Sequence, residues 1–254
     1  MSCRYLTGLS DDTIRLAAQT YLFGRLGIML GPATAGGPGS KDDYSRHIPD
    51  YQDWAFDNGC FSNRGAFDQE AWLTRLAYLI DNIDGAHLSC RFAVAPDVFY
   101  PDRQVGDQLA TIESSRPVLR EIRRLGVPAA LVIQDGLHAI PLDDLPWPDF
   151  DVAFLGGSDM LKLGYPVRHR SVTYRYDRFR PESIYWAAFL QRCHQEGKPI
   201  HVGRVSSAVR MQLAREIWAD TADGTYLLFR GVARGLADID SWTRPEVHDG
   251  IQAT

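Results

Sequence analysis

The chain has 254 residues, 45% of them apolar and 23% charged, with a formal net charge of −5. That composition suits a globular protein with a real core, and it excludes a uniformly basic nucleic-acid coat while leaving room for a local basic patch. Four scattered cysteines without a C-x-x-C pair indicate neither a disulfide framework nor a zinc site, and no apolar run reaches membrane-spanning length, so a reduced, cytoplasmic protein is expected.

A short apolar strand, a polar tip and a helical pattern recur along the chain. Residues 4–7 read as a first strand, and Ser10 as the N-cap of a helix over 11–23. A second strand over 27–30 leads into residues 31–50, a long loop or lid rich in Gly, Pro, Ser and Asp. Trp54, Ala55 and Phe56 form a third, buried strand ending at Asp57-Asn58-Gly59-Cys60-Phe61, and helical spacing follows over 68–83. Residues 92–95 give a fourth strand ending at Asp97, then a helix over 106–125 that Pro117 kinks or interrupts. A fifth strand over 129–133 ends at Gln134-Asp135-Gly136, and a sixth over 151–155 at Gly156-Gly157-Ser158. Helix 181–196 leads to a seventh strand over 200–202, helix 206–218 to a last strand around 222–226, and a closing helix over 227–236 to a frayed tail beyond Arg244.

Eight strands alternating with helices predict a (β/α)8 TIM barrel filling residues 1–254 as a single domain. An open doubly wound sheet is the runner-up, and no G-x-G-x-x-G after an early strand supports it. A parallel barrel gathers its strand ends on one face, here Asp57, Asp97, Gln134, Gly156, Gly157 and Asp223. Such a set suits the Watson–Crick edge of guanine. Asp97 takes the N1–H and N2–H₂ donors, Gln134 and a backbone N–H near Gly157 donate to O6, and Phe61 stacks on the purine. A remaining carboxylate is then placed to attack C1′ of the sugar. Read alone, the tip after the third strand fits an Asp-Asn-Gly turn with a solvated acid better than a site, and the like ends of later strands shift the reading.

Five motifs in order carry a family resemblance. Asp57-Asn58-Gly59-Cys60-Phe61 resembles the D-S-G-G-Y/F motif of the queuine/archaeosine tRNA-guanine transglycosylases, Val132-Ile133-Gln134-Asp135-Gly136 their I-Q-G strand end, and Leu155-Gly156-Gly157-Ser158 their G-G-L loop. His201-Val202-Gly203 resembles their G-V-G strand end, and residues 219–224, with Asp220 and Asp223, their V-D-x-F-D-C segment. The resemblance implies Asp223 as nucleophile, with Asp220 its close competitor, and Asp57 as general acid/base. It implies Asp97 and Gln134 as base readers, and a stacking sandwich of Phe61 with Ile200 or Val202. No cysteine follows Cys193, where the tRNA enzymes carry a C-x-C-x-x-C zinc site, so the zinc-binding subdomain is expected to be missing. That layout is similar to the reduced DpdA-type enzymes of phages and bacterial modification clusters, which insert 7-deazaguanines into DNA. The implied partners are DNA, with tRNA as the alternative, and a 7-deazaguanine base, with no cofactor and no metal.

Arg168, Arg170, Arg175, Arg178 and Arg180 crowd thirteen residues interleaved with aromatics, a pattern suited to phosphate contact or to a solvated loop. Arg204, at a strand tip, fits a phosphate contact or an ion pair, and His201 reads as a packed histidine. Two further readings remain beside base exchange: a hydrolytic glycosylase on the same barrel, and a catalytically inactive barrel that binds nucleic acid as a subunit. A metal-dependent hydrolase lacks its H-x-H or E-x-x-H cluster.

Overall fold

A computed structural model describes residues 3–37, 41–100, 102, 105–162, 166–168, 174–176 and 181–245, with the backbone course alone at 159–160, 166–168 and 174–176. Eight parallel strands close into a barrel in sequential order: β1 (Arg4–Thr7), β2 (Leu26–Leu30), β3 (Trp54–Phe56), β4 (Cys90–Val94), β5 (Ala129–Ile133), β6 (Val152–Leu155), β7 (Ile200–Val202) and β8 (Thr221–Gly224). β8 pairs with β1 and closes the ring, so the first and last strands lie side by side. The expected TIM barrel is the fold.

Side chains alternate along each strand and build two apolar layers. Leu6, Met29, Ala55, Phe92, Val94, Ala130, Val132, Val152 and Phe154 fill the barrel interior. Tyr5, Ile28, Leu30, Trp54, Phe56, Leu131, Ile133, Ala153 and Leu155 face outward, under the helices. The helices are α1 (Asp12–Gln19), α2 (Gln69–Asn82), α3 (Gln108–Arg124), α4 (Pro181–Gln195), α5 (Ala208–Glu216), α6 (Tyr226–Arg230) and α7 (Val232–Thr243). Asp68, Asp107 and Ser207 cap α2, α3 and α5 by accepting from the backbone N–H three residues on.

Several details differ from the sequence reading. Asp11, not Ser10, caps α1, because the Ser10 hydroxyl is taken by His47 Nδ1 and Tyr51 Oη, each at 2.9 Å. A 3-10 helix, Ser45–Asp50, stands after β2 where a full helix would complete the repeat, and three short 3-10 turns stand after β5. α3 runs through Pro117 without interruption. The closing helix is two helices, parted at Gly231. The tail beyond Pro245 lies outside the described residues.

The barrel's base is held by ion pairs. Asp53, almost wholly buried, accepts from Arg4 at 2.7 Å and from Arg91. Above it β2 and β3 approach closely: a Cβ on Gly27 would come within 2.5 Å of the Asp53 carbonyl oxygen and 2.6 Å of the Leu6 side chain, whereas one on Gly8 would meet nothing nearer than 4.0 Å. Gly27→Ala is therefore expected to cost about 2 kcal/mol through forced strand separation, and Gly8→Ala well under half of that. Urea unfolding of the two variants compares them, and equal losses would remove the close approach as the cause.

Candidate active site at the barrel mouth

The alternation along β3 sends Trp54 and Phe56 outward and Ala55 inward, which aims the next side chain, Asp57, into the mouth. Its backbone is fixed from both sides: Asp57 N donates to Leu30 O at 2.7 Å, and Trp72 Nε1 on α2 donates to Asp57 O at 2.9 Å. Gly59 then turns the chain at φ +73°, a conformation that favours glycine. Asn58 braces this turn with its side chain. Its Oδ1 accepts from Cys60 N at 2.8 Å, while its Nδ2 donates to Ala95 O at 2.8 Å and to Asp97 Oδ1 at 2.9 Å.

Asp97 is the hub of the neighbouring tips. Gln134 Nε2 donates to its other oxygen, and Gln134 N in turn donates to Gln108 Oε1 at 2.6 Å. The ends of β3, β4 and β5 are thereby tied together through one carboxylate. Asp135, beside them, accepts from the backbone and hydroxyl of Ser158 and joins the β5 tip to the β6 tip.

Asp223 enters the mouth from β8. It stands opposite the inward-facing Leu6 in the β1 register, so it shares the interior side. His201 Nε2 lies 2.9 Å from Asp223 Oδ1, and His201 Nδ1 lies 2.8 Å from Thr221 Oγ1. The imidazole stacks on Phe154, centroids 4.6 Å apart, and meets the edge of Phe92 at 4.9 Å. Asp220 lies roughly 10 Å away along the same strand, three residues toward its start. Its carboxylate accepts from Ile200 N at 2.9 Å, and it lines a cleft of about 650 Å³ at the barrel's base with Arg4, Arg91 and Lys198. Of the two competing acids, Asp223 is the one at the mouth.

Crowding shapes the electrostatics. Burial pushes the Asp57 carboxyl up to about 7, with the Asp223 and Asp97 charges adding to the rise against the backbone N–H groups of Gly59 and Asn58. Asp97 is also raised by burial, opposed by hydrogen bonds from Asn58, Gln134 and Cys60. The buried Cys60 thiol is pushed up to about 12, by burial first and then by Asp97. Asp57 is thereby poised to take up and release a proton close to neutral pH.

Other expected site residues are placed differently. Ile200 and Val202 cannot form a stacking wall, because His201 between them points inward and both therefore face the barrel–helix layer. The backbone N–H groups of Gly156 and Gly157 are not free to donate to O6, since both already donate to Ile133 O, at 3.1 and 3.0 Å. Arg204 is exposed at the rim: its Nη2 donates to Gly156 O and Gly157 O at 2.8 Å each, and its guanidinium lies 4.7 Å over the Phe61 ring. Phe61 is half exposed at the rim and leans on Phe99, 5.1 Å away, as a stacking platform would. Arg168 and Arg175 lie on a two-stranded antiparallel ribbon, Pro166–Arg168 with Tyr174–Tyr176, whose side chains are not described; Arg170, Arg178 and Arg180 lie outside the described residues.

Asn58, Thr221 and the contact of His201 with Asp223 were missed by sequence reasoning. Inward parity on β7 and β8 was the available signal, since His201, Thr221 and Asp223 share it. Among the described residues, no group of three or more His, Cys, Asp and Glu side chains is placed to hold a metal ion, and no helix is long and apolar enough to cross a membrane.

No family model matches the sequence, and no curated protein does. Among solved structures, the chain is similar to the BexX/CysO complex of Amycolatopsis orientalis, with 18% identity, 96% of this chain and 87% of that chain covered, and a TM-score of 0.49. It is also similar to a native KDPGal structure, with 9% identity, 94% and 91% covered, and a TM-score of 0.46. These likenesses carry no argument about chemistry; the barrel stands on its own strand pairing.

The raised Asp57 makes a stability prediction. An acid lifted from 3.8 to about 7 keeps its proton in the folded chain after the unfolded chain has lost it, so stability drains away as pH rises across that window and then levels off. Asp57→Asn removes this loss. The melting temperature of the variant relative to the parent is expected to climb between pH 4 and pH 7 and to stay level above. A pH-independent difference would mark Asp57 as an ordinary ionised acid.

Proposed function

We propose that the protein is a base-exchange transglycosylase that removes guanine from a nucleic acid and installs a 7-deazaguanine at the same sugar. The observation that carries the reading is the sharing of one mouth by two unlike acids: Asp57, whose carboxyl burial raises to about 7, and Asp223, whose carboxylate lies 2.9 Å from the His201 imidazole. A double displacement at C1′ needs that pair. Asp223 attacks C1′ as the C1′–N9 bond breaks, and the departing guanine takes the proton of Asp57. The incoming base then loses its N9 proton to Asp57 and attacks C1′ from the vacated side. The C1′–O bond breaks, its electron pair returns to Asp223, and Asp57 is protonated again.

Base reading falls to Asp97. Asn58 and Gln134 hold the carboxylate in place, and its remaining lone pairs accept the N1–H and N2–H₂ donors of guanine. The second N–H of Gln134 Nε2 is left for O6, in place of the engaged backbone of Gly156 and Gly157. Phe61 supplies one stacking face. DNA stands ahead of tRNA on the resemblance to the DpdA-type enzymes alone, with the arginine-rich stretch as a fitting phosphate tracker.

The test uses DNA and tRNA, each labelled in guanine, incubated separately with and without a 7-deazaguanine base. Release of label that depends on the added base supports exchange, and the polymer that supports it names the substrate. Without the base, a denaturing gel is expected to show a covalent adduct that vanishes in Asp223→Ala and persists in Asp220→Ala. Abasic sites without an adduct would turn the reading to hydrolysis, and binding without either would leave a non-catalytic barrel. Asp97→Ala is expected to lower guanine exchange roughly a thousandfold, since a site built around polar contacts discriminates strongly when they are lost. Near-normal exchange in that variant would remove Asp97 from base reading.

A further inference from the structure

We propose that His201 is a positioning residue for Asp223: its Nε2–H fixes one carboxylate oxygen, Oδ1, and leaves the other, Oδ2, to attack C1′. The inference rests on the base-exchange reading above. A packing role would need only an apolar ring at this place, yet the imidazole is fully buried with both nitrogens engaged. An ionised carboxylate only accepts, so Nε2 must be the donor to Asp223; in the neutral ring Nδ1 is then the acceptor, and Thr221 supplies its O–H. The carboxylate thereby sets which nitrogen carries the proton, and the Thr221 hydroxyl, able to donate or accept, matches it at Nδ1. Phe92 and Phe154 clamp the ring on an edge and a face and keep water from competing.

Each feature serves the two displacements. The ring cannot turn without losing its aromatic contacts, so Asp223 is held to one orientation before substrate arrives. The contact is a single directed N–H from one ring nitrogen, 2.9 Å from Oδ1, rather than a two-pronged grip that would engage both carboxylate oxygens. In the second displacement the C1′–O electron pair returns to the carboxylate, and the same Nε2–H stabilises that returning charge. The proton stays on His201 throughout, so the atom balance of the reaction is unchanged.

Three variants and one spectrum test this. Long-range ¹H–¹⁵N correlation on the substrate-free parent is expected to show His201 as the Nε2–H tautomer, which requires no activity. His201→Leu is expected to lower kcat for exchange at least roughly tenfold while KM for the entering base changes little, and His201→Gln, which keeps an N–H near the Nε2 position, to recover most of the loss. Should His201→Leu not fold, Thr221→Val carries the comparison, with a smaller fall in kcat from the ring's lost partner at Nδ1. An Nδ1–H tautomer, or equal kcat losses in the Leu and Gln variants at equal melting temperature, would overturn the proposal. A parent that neither exchanges guanine nor forms an adduct sinks the base-exchange reading itself, which is distinct from an active parent indifferent to His201.

Discussion

Closing a parallel sheet into a ring forces the ends of distant strands into one small space, and here three of those ends are carboxylates. Asp57, Asp97 and Asp223 come from β3, the β4 tip and β8, and water is largely withdrawn from the first two. Burial first, and then the neighbouring charges, disfavour ionisation there. The mouth answers by raising the Asp57 carboxyl to about 7 and by giving the other two hydrogen-bond donors. The amides of Asn58 and Gln134, and the imidazole of His201, follow from that need.

The two ends of the barrel answer charge in different ways. At the base, acids meet full cations: Asp53 is gripped by Arg4 and Arg91, and Asp151 by Arg123, with its carboxyl held below the usual range by that guanidinium and the Ala129 N–H. Such pairs make good anchors and poor reagents, because a firmly paired carboxylate neither takes up a proton readily nor attacks. At the mouth, the hydrogen bonds to Asp97 come from the amides of Asn58 and Gln134, and Asp223 meets the His201 imidazole, with neither acid gripped by an arginine or lysine in the contacts described. Position along the chain decides which end an acid serves: Asp220, just before β8, lines the basal cleft, and Asp223, three residues on, the mouth.

Much of this was legible in the sequence because the strands are short apolar runs with polar tips. The barrel, the inward aim of Asp57, and the gathering of Asp97, Gln134 and Asp223 follow from period-two alternation and from closure. β7 was harder to read. In Ile200-His201-Val202 the two apolar residues look like the lining of a pocket, whereas β7 lies between layers and both of its sides are buried; the polar residue is the one facing in. Arg204 reads in sequence as a phosphate contact or an ion pair, and the partners it has are carbonyls and an aromatic face, which no charge pattern announces. The helical repeat lapses after β2 and β5 because no periodic apolar stripe follows those strands, and local turns take the helix's place.

The cysteines carry a practical consequence. All four are buried, and burial raises every thiol above its ordinary value, Cys60 beside the mouth included. Thiolate is the form that alkylating dyes and mild oxidants attack, so the folded chain offers them almost nothing. A single cysteine introduced at Leu109, exposed on the first turn of α3, would take a fluorophore alone, and the natural sulfurs need not be removed to make the protein a clean optical reporter.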